Sequence, residues 1–228
     1  MITLPRPVFT GRVSLEEALR ARRTVRSFAS TPLSIDQLSQ LLWAAYGIAA
    51  PGGEKRIVPS AGALYPLDCY IAAGEEGVEG LEGGVYHYLP SSHALALLVS
   101  GDRRREVARA SLRQMWMAEA PVMAIIAAQY RRITKKYGDR GVRYAHLEAG
   151  HAGQNLFLQG TALGLGVGIV GAFKDDAVTE ALELPPGTFL VILAFLVFGL
   201  AIWFSLRRKS LAEWVEKRES PGNSGGSG

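Results

Sequence analysis

The chain has 228 residues with 48% apolar content, which suits one domain with a sizeable core. Its formal charge is +4, and its basic residues scatter among acidic ones without an aromatic-interleaved stripe, so nucleic acid is not an expected partner. The single cysteine, Cys69, excludes an internal disulfide and a cysteine-rich metal site, and four dispersed histidines without paired carboxylates predict no metal.

Residues 1–13 lack a basic stretch followed by an apolar run, so no signal peptide is expected and a cytoplasmic location is. Ser14 and Glu17 stand at capping-box spacing before Ala18 and Leu19, which predicts a short helix reaching Arg22. At its end Arg22, Arg23, Thr24 and Arg26 supply guanidinium forks and a hydroxyl that suit a phosphate. Cations also favour a helix C-terminal end whatever they bind, so a solvated basic helix end is the alternative.

Ser34 and Gln37 open a second capping box, and Leu38, Leu41, Leu42 and Ala45 predict a helix over 35–46 that stops at Gly47. The segment Pro59-Ser60-Ala61-Gly62-Ala63-Leu64-Tyr65-Pro66 sets small side chains between prolines. Bare backbone of that kind can approach a flat ring closely, although an ordinary turn has the same composition. Residues 67–73 read as a buried strand in which Cys69 fills the core, and 85–88 with 95–99 read as a hairpin. Residues 102–118 carry five arginines on a helix-compatible pattern, and 122–128 is an uninterrupted apolar strand.

Lys135 and Lys136 then read as a loop before Gly138. The best helix follows, over about 143–163. It places Leu147, Gly150, His151, Gln154 and Leu158 where they can share a face, and its small residues allow close helix approach and suit a dimer core. His151 on this helix reads as a core histidine that Glu148, three residues earlier, can satisfy. Gly164, Gly166 and Gly168 follow the helix instead of opening one, which argues against a dinucleotide-binding fingerprint.

Residues 189–206 are eighteen positions without a charge, followed by Arg207-Arg208-Lys209. One reading splits the run at Gly199 into a closing strand, 190–198, and an extended arm; the other makes it a membrane-associated segment. Basic residues after the run would put residues 1–188 outside, which sits awkwardly with the absence of a signal peptide. The expected organisation is a core of 1–188, the strand and arm over 189–218, and a flexible tail of 219–228.

Arg22 to Phe28 followed by Pro59 to Pro66 resembles the start of the nitroreductase superfamily of flavin enzymes, and the second segment is similar to its SagB-type dehydrogenase branch. Further similarities follow in order: Gly84-Val85-Tyr86-His87-Tyr88 with His93-Ala94-Leu95; Lys136-Tyr137-Gly138-Asp139-Arg140; Leu147-Glu148-Ala149-Gly150-His151 with Gln154-Asn155-Leu156; and Val170-Gly171-Ala172-Phe173 with Asp175-Asp176. The resemblance implies an α+β nitroreductase-like FMN fold, a central, mostly antiparallel sheet flanked by helices in an intertwined homodimer. It implies FMN as cofactor, NAD(P)H as a candidate electron donor, and a small-molecule or peptide substrate.

By the same resemblance Arg22, Arg23, Thr24 and Arg26 hold the FMN phosphate, joined by Arg208 and Lys209 from the arm. Pro59, Ser60, Ala61, Gly62 and Ala63 line the ring from the other subunit, and Val170 and Gly171 present backbone groups to its reactive edge. Ala63 and Tyr65 replace the Asn and Gln of the nitroaromatic-reducing branch, so the resemblance does not extend to nitroaromatic reduction as a specific activity. Lys136 and Tyr137 match the pair assigned to catalysis in azoline-oxidising members; a lysine near the arginine cluster would be a base, with Tyr137 relaying a proton. The implied activity is two-electron oxidoreduction on FMN, with azoline-to-azole peptide dehydrogenation as an alternative. A non-catalytic flavin-fold module tethered to a membrane by its C-terminal run is the alternative of another class.

Overall fold

The computed structural model describes residues 1–28, 31–50 and 53–198. The expected arm with Arg208 and Lys209, and the tail, lie outside the described residues.

The strands are β1 (Ile2–Thr3), β2 (Leu67–Ala73), β3 (Gly84–Leu89), β4 (Ala94–Ser100), β5 (Val122–Ala128), β6 (Leu165–Val170) and β7 (Phe189–Phe198). They form one sheet in the order β1-β4-β3-β2-β5-β7-β6 with every adjacent pair antiparallel. Helices α1 (Leu15–Ala21), α2 (Ile35–Tyr46), α3 (Arg104–Ala110), α4 (Arg131–Tyr137), α5 (Arg140–Ala162) and α6 (Asp175–Ala181) cover it, giving the expected α+β architecture.

The period-2 alternation of β2 and β5 builds two cores. Cys69, Ile71, Ala124 and Ile126 pack toward α2 and α5, against Leu38, Leu41, Ala149 and Leu156. Tyr70, Ala72, Met123 and Ile125 pack on the opposite face with Val107 of α3 and Val178 of α6. Leu38 and Leu41 are wholly buried, and each such leucine stabilises the fold by about 1.5–3 kcal/mol. Cys69 is core filling as expected, and burial pushes its thiol up to about 12.

Both expected capping boxes form. Ser14 accepts from the Glu17 N–H and Ser34 from the Gln37 N–H, and each N3 side chain returns a hydrogen bond. These fix where α1 and α2 begin.

Three expectations need correction. Residues 102–118 are not one helix: α3 stops at Ala110, Leu112 and Arg113 take left-handed φ values of 54° and 58°, and a short 3-10 turn, Met115–Glu119, follows. The break lets the chain turn back toward β5, with the Arg104 guanidinium clamped between Asp102 and the Ala120 carbonyl. Lys135 and Lys136 are not in a loop but in the last turn of α4, where the helix dipole favours cations, and Gly138 at φ 55° ends that helix. His151 is exposed while Glu148 is buried, because the inward stripe of α5 runs through Ala145, Glu148, Ala149, Ala152 and Leu156.

Residues 189–198 form β7, hydrogen-bonded to β5 on one side and β6 on the other. A strand interior to the sheet needs no charge, which accounts for the first part of the apolar run. Among the described residues no helix is long and apolar enough to cross a membrane.

Candidate active site

The arginine segment lies along the outer edge of β6. Thr24 pairs in parallel with Val167, and the Val25 N–H donates to the Val167 carbonyl at 3.0 Å. Glycines in β6 permit this approach: a Cβ on Gly168 would sit 2.6 Å from the Val25 carbonyl oxygen, and one on Gly166 would sit 2.9 Å from the Val25 side chain. The Gly-x-Gly spacing therefore serves the docking of the arginine segment.

The three arginines differ in what they do. Arg23 folds back, its Nη1 donating to the Arg20 and Arg22 carbonyls at 2.9 and 2.8 Å, and so caps the C-terminal end of α1. Arg22 lies over the Phe157 ring at 5.0 Å and Arg26 near the Trp116 ring at 5.9 Å. Among the described residues their guanidinium groups make no hydrogen bond or ion pair, so their donor forks remain available to an anion. Where β6 ends, Val170 is buried and Gly171 is exposed, with open space where its Cβ would be. Arg22, Thr24 and Arg26 thus share one sheet edge with Val170 and Gly171.

The loop from Pro59 to Pro66 is held by its own hydrogen bonds. The Ser60 carbonyl accepts from the Ala63 N–H at 3.1 Å, and the Ser60 hydroxyl accepts from the Tyr65 N–H at 2.9 Å. Gly62, Ala63 and Tyr65 all have left-handed φ, of 63°, 53° and 47°. For the two non-glycine residues that costs of order 1 kcal/mol each. Pro59, Gly62 and Ala63 are exposed, and Ser60 and Ala61 half-buried.

Lys136 and Tyr137 meet this loop. A Cβ on Gly62 would lie 2.7 Å from the Tyr137 hydroxyl and 3.0 Å from Lys136 Nζ. Lys136 is exposed with its Nζ 5.3 Å from the Tyr137 ring centre, and Tyr144 of α5 supports Tyr137 edge-on at 5.2 Å. One turn earlier on α4, Arg132 makes a bidentate pair with Asp68 of β2, both contacts at 2.9 Å. Burial would raise the Asp68 pKa, but the nearby His87 ring, with Nε2 3.7 Å from Oδ1, and the hydrogen bonds and charge of Arg132 hold it below the usual carboxylate value. This pair fixes α4 to the sheet and so fixes the approach of Lys136 and Tyr137 to Gly62.

Beneath the loop lies a residue whose place in the sequence suggests only a partner for His151. Glu148 is 2% exposed, and its Oε1 accepts from the Tyr46 hydroxyl at 2.7 Å. Its position on the inward stripe of α5, seven residues after Gly141 and four before Ala152, was the available clue.

Within one chain Lys136 stands against Gly62, and not beside the arginine cluster where the resemblance sets it. Arg22 contacts α5 through Phe157, whereas Tyr137 contacts it through Tyr144. Thirteen residues of helix separate those two contacts by about 20 Å. Within one chain, the phosphate-suited arginines and the Pro59–Pro66 loop thus lie against opposite ends of the same helix.

His93 is taken up structurally: its ring nitrogens meet the Tyr88 hydroxyl at 2.8 Å and the Ser39 hydroxyl at 2.7 Å. Among the described residues no group of three or more His, Cys, Asp or Glu side chains could hold a metal ion.

Comparison with known proteins adds to this geometry. The family described as the Nitroreductase family matches residues 19–200. A protein of Methanocaldococcus jannaschii that carries a nitroreductase name is 46% identical over 172 residues, covering 75% of this chain and 85% of that protein. The microcin B17-processing protein McbC of Escherichia coli is 30% identical over 159 residues, covering 68% of this chain but 58% of that protein, so the chain spans little more than half of its length. A chain of the E. coli microcin synthetase McbBCD complex, solved with truncated pro-MccB17 bound, superimposes with a TM-score of 0.68 at 26% identity, covering 86% of this chain and 77% of that one.

Proposed function

Because this chain belongs to the nitroreductase family, we propose that it is an FMN-dependent oxidoreductase of the SagB-type branch. The observation that carries the reading is the pair Arg22 and Arg26, whose guanidinium groups make no hydrogen bond or ion pair among the described residues, on the same sheet edge as Val170 and Gly171. The residues fit the cofactor: two open guanidinium forks suit a phosphate, the open Gly171 leaves backbone accessible, and the loop at Pro59–Ala63 offers a surface of small side chains. When bound, FMN supplies two-electron hydride exchange.

Arg22, Arg26 and Thr24 hold the phosphate in this reading, with Arg208 and Lys209 joining from the arm. Arg23 acts indirectly, by capping α1. The Val170–Gly171 backbone faces the ring edge, where an N–H donor stabilises developing negative charge. The Pro59–Ala63 loop lines the ring from a second copy of the chain, consistent with its place at the far end of α5 from the arginines. Leu15, Leu19 and Leu147 on α1 and α5 are 59%, 51% and 53% exposed, and Gly150, three residues after Leu147 on α5, has open space where its Cβ would be, features that suit a homodimer contact.

Lys136 and Tyr137 beside Gly62 favour the peptide-directed reading, azoline-to-azole dehydrogenation, over reduction of a small molecule with NAD(P)H as donor. Lys136 would accept the proton from the azoline α carbon while the adjacent ring carbon gives up hydride to FMN, the ring double bond forming between the two, and the Tyr137 hydroxyl would pass the proton outward. The names of the two E. coli relatives, a microcin-processing protein and a complex with a bound peptide precursor, support a peptide substrate.

Anaerobic single-turnover mixing of FMN-loaded protein with an azoline-bearing peptide tests the choice. Flavin bleaching by the azoline peptide, and none by its azole counterpart, supports the peptide reading; bleaching by NADPH alone favours the small-molecule reading.

A further inference from the structure

Among the described residues Glu148 is the only acidic side chain that the fold takes almost wholly out of water, at 2% exposure. Burying an ionised carboxylate costs several kcal/mol unless a close cation and good hydrogen bonds offset it. No salt bridge among the described residues reaches Glu148. The Tyr46 hydroxyl donates to Oε1 at 2.7 Å, while Oε2 is buried with no hydrogen-bond partner among the described residues; the Ser60 hydroxyl is near enough to influence the carboxyl group.

The titratable and charged groups facing it are Tyr46 from α2, Arg56 from the segment before the loop, Cys69 from β2 and His151 from its own helix. Arg56 is committed elsewhere, with its guanidinium over the Tyr46 and Tyr65 rings at 4.4 and 5.2 Å and its Nη1 on the Tyr46 carbonyl at 3.2 Å. Burial raises the Glu148 pKa against the opposing influence of the Ser60 hydroxyl, the Tyr46 hydrogen bond and the charges of Arg56 and His151.

Tyr46 and Ser60 also hold the ends of the Pro59–Pro66 loop. Tyr46 Oη accepts from the Leu67 N–H at 3.2 Å, and Ser60 Oγ accepts from the Tyr65 N–H. We propose that Glu148 is a positioning residue that holds this loop as a neutral carboxylic acid, donating from Oε2 to the Ser60 hydroxyl oxygen.

The proton on Glu148 then decides what Ser60 offers. With Glu148 neutral, Ser60 Oγ accepts from both Glu148 and the Tyr65 N–H, and its own O–H turns outward as a donor to whatever lies on the loop. With Glu148 ionised, the Ser60 O–H turns inward to the carboxylate and the loop surface loses a donor. A buried anion with two neutral donors is also a poorer support for the left-handed turn at Gly62, Ala63 and Tyr65. This deepens the reading of the loop as a flavin-facing surface and rests on that reading for the identity of the ligand, whereas the proton switch itself is read on cofactor-free protein.

The test joins a carbon-13 NMR titration of the Glu148 carboxyl with amide hydrogen exchange of Ala63 and Tyr65, corrected for intrinsic rates. The expected result is a Glu148 titration above the usual carboxylate range. Protection of both amides should then fall by up to about tenfold for each pH unit beyond that point. Glu148→Gln, a permanent donor of similar shape, should keep protection across the range, and Ser60→Ala should uncouple the Tyr65 amide from pH while leaving the Glu148 titration raised. A Glu148 pKa at the ordinary value, pH-independent protection in the unmutated protein, or loss of protection in Glu148→Gln would each overturn the proposal. Failure of the protein to take up FMN would remove the flavin reading but leave these outcomes to stand on their own.

Discussion

Gly62 and Tyr137 meet with no room for a methyl group, since a Cβ on Gly62 would lie 2.7 Å from the Tyr137 hydroxyl. The glycine is therefore fixed twice, by its left-handed φ of 63° and by this contact. Gly62→Ala should displace Tyr137 and Lys136 and cost about 1–3 kcal/mol of stability. Urea unfolding measures the loss, and an unchanged midpoint would mean that the loop and α4 are not so closely apposed in solution.

The separate roles of the arginines give a paired prediction. Arg22→Ala with Arg26→Ala should weaken FMN binding by up to about 1.5–3 kcal/mol per arginine, the worth of a charge-assisted hydrogen bond. Arg23→Ala should instead cost roughly 0.5–1 kcal/mol of stability through the lost cap at α1, with a smaller effect on FMN affinity. Fluorescence titration with FMN alongside thermal unfolding separates the two. An Arg23→Ala affinity loss as large as the per-arginine loss in the double variant would place the phosphate on Arg23 as well.

Gly168 supports the arginine segment through close backbone packing. Its Cβ would meet a backbone carbonyl oxygen, that of Val25, at 2.6 Å, and backbone cannot yield as a flexible side chain can. Gly168→Ala should push the arginine segment off the edge of β6, costing about 1–3 kcal/mol and lowering FMN affinity together with stability. An alanine variant with normal FMN affinity would show that the segment is held by other contacts.

Asp68 and Glu148 should act on stability with opposite sign as pH changes. The Asp68 pKa is depressed below its usual 3.8, so its contribution is complete above that value and is lost as pH falls through the lower native pKa. The Glu148 pKa is raised above its usual 4.5, so the folded state holds that proton longer and stability declines as pH rises from 4.5 toward the native pKa. Denaturant unfolding from pH 2 to pH 8 should show Arg132→Ala flattening the acid limb and Glu148→Gln removing the decline above 4.5. A Glu148→Gln curve parallel to that of the unmutated protein would contradict the assignment.

The elements with strong local patterns were legible in the sequence. The two capping boxes, the buried strands around Cys69 and Ile125, and the long helix with its inward small residues depend on neighbours in the chain, and their bounds fall within a few residues of those expected. The resemblance of Lys136-Tyr137 and of the Pro59–Pro66 segment to one family also pointed at two groups that the fold brings together at Gly62. What the sequence obscured depends on distant contacts. Arg23 looks like Arg22 and Arg26 until its guanidinium is seen capping α1. The break after Ala110 depends on left-handed turns at Leu112 and Arg113, which carry no glycine to mark them. Glu148 and His151 exchange places because three residues on a helix turn a side chain by 300°, and only the packing of α5 on α2 decides which of the two faces inward.

The most direct test of the account is the visible absorption spectrum of the purified full chain without added cofactor, followed by release and identification of any chromophore. The account predicts a flavin spectrum with near-stoichiometric FMN, or its appearance on adding FMN. A colourless protein that also leaves added FMN unbound would contradict the assignment of Arg22 and Arg26 to a phosphate and of Val170 and Gly171 to a ring edge.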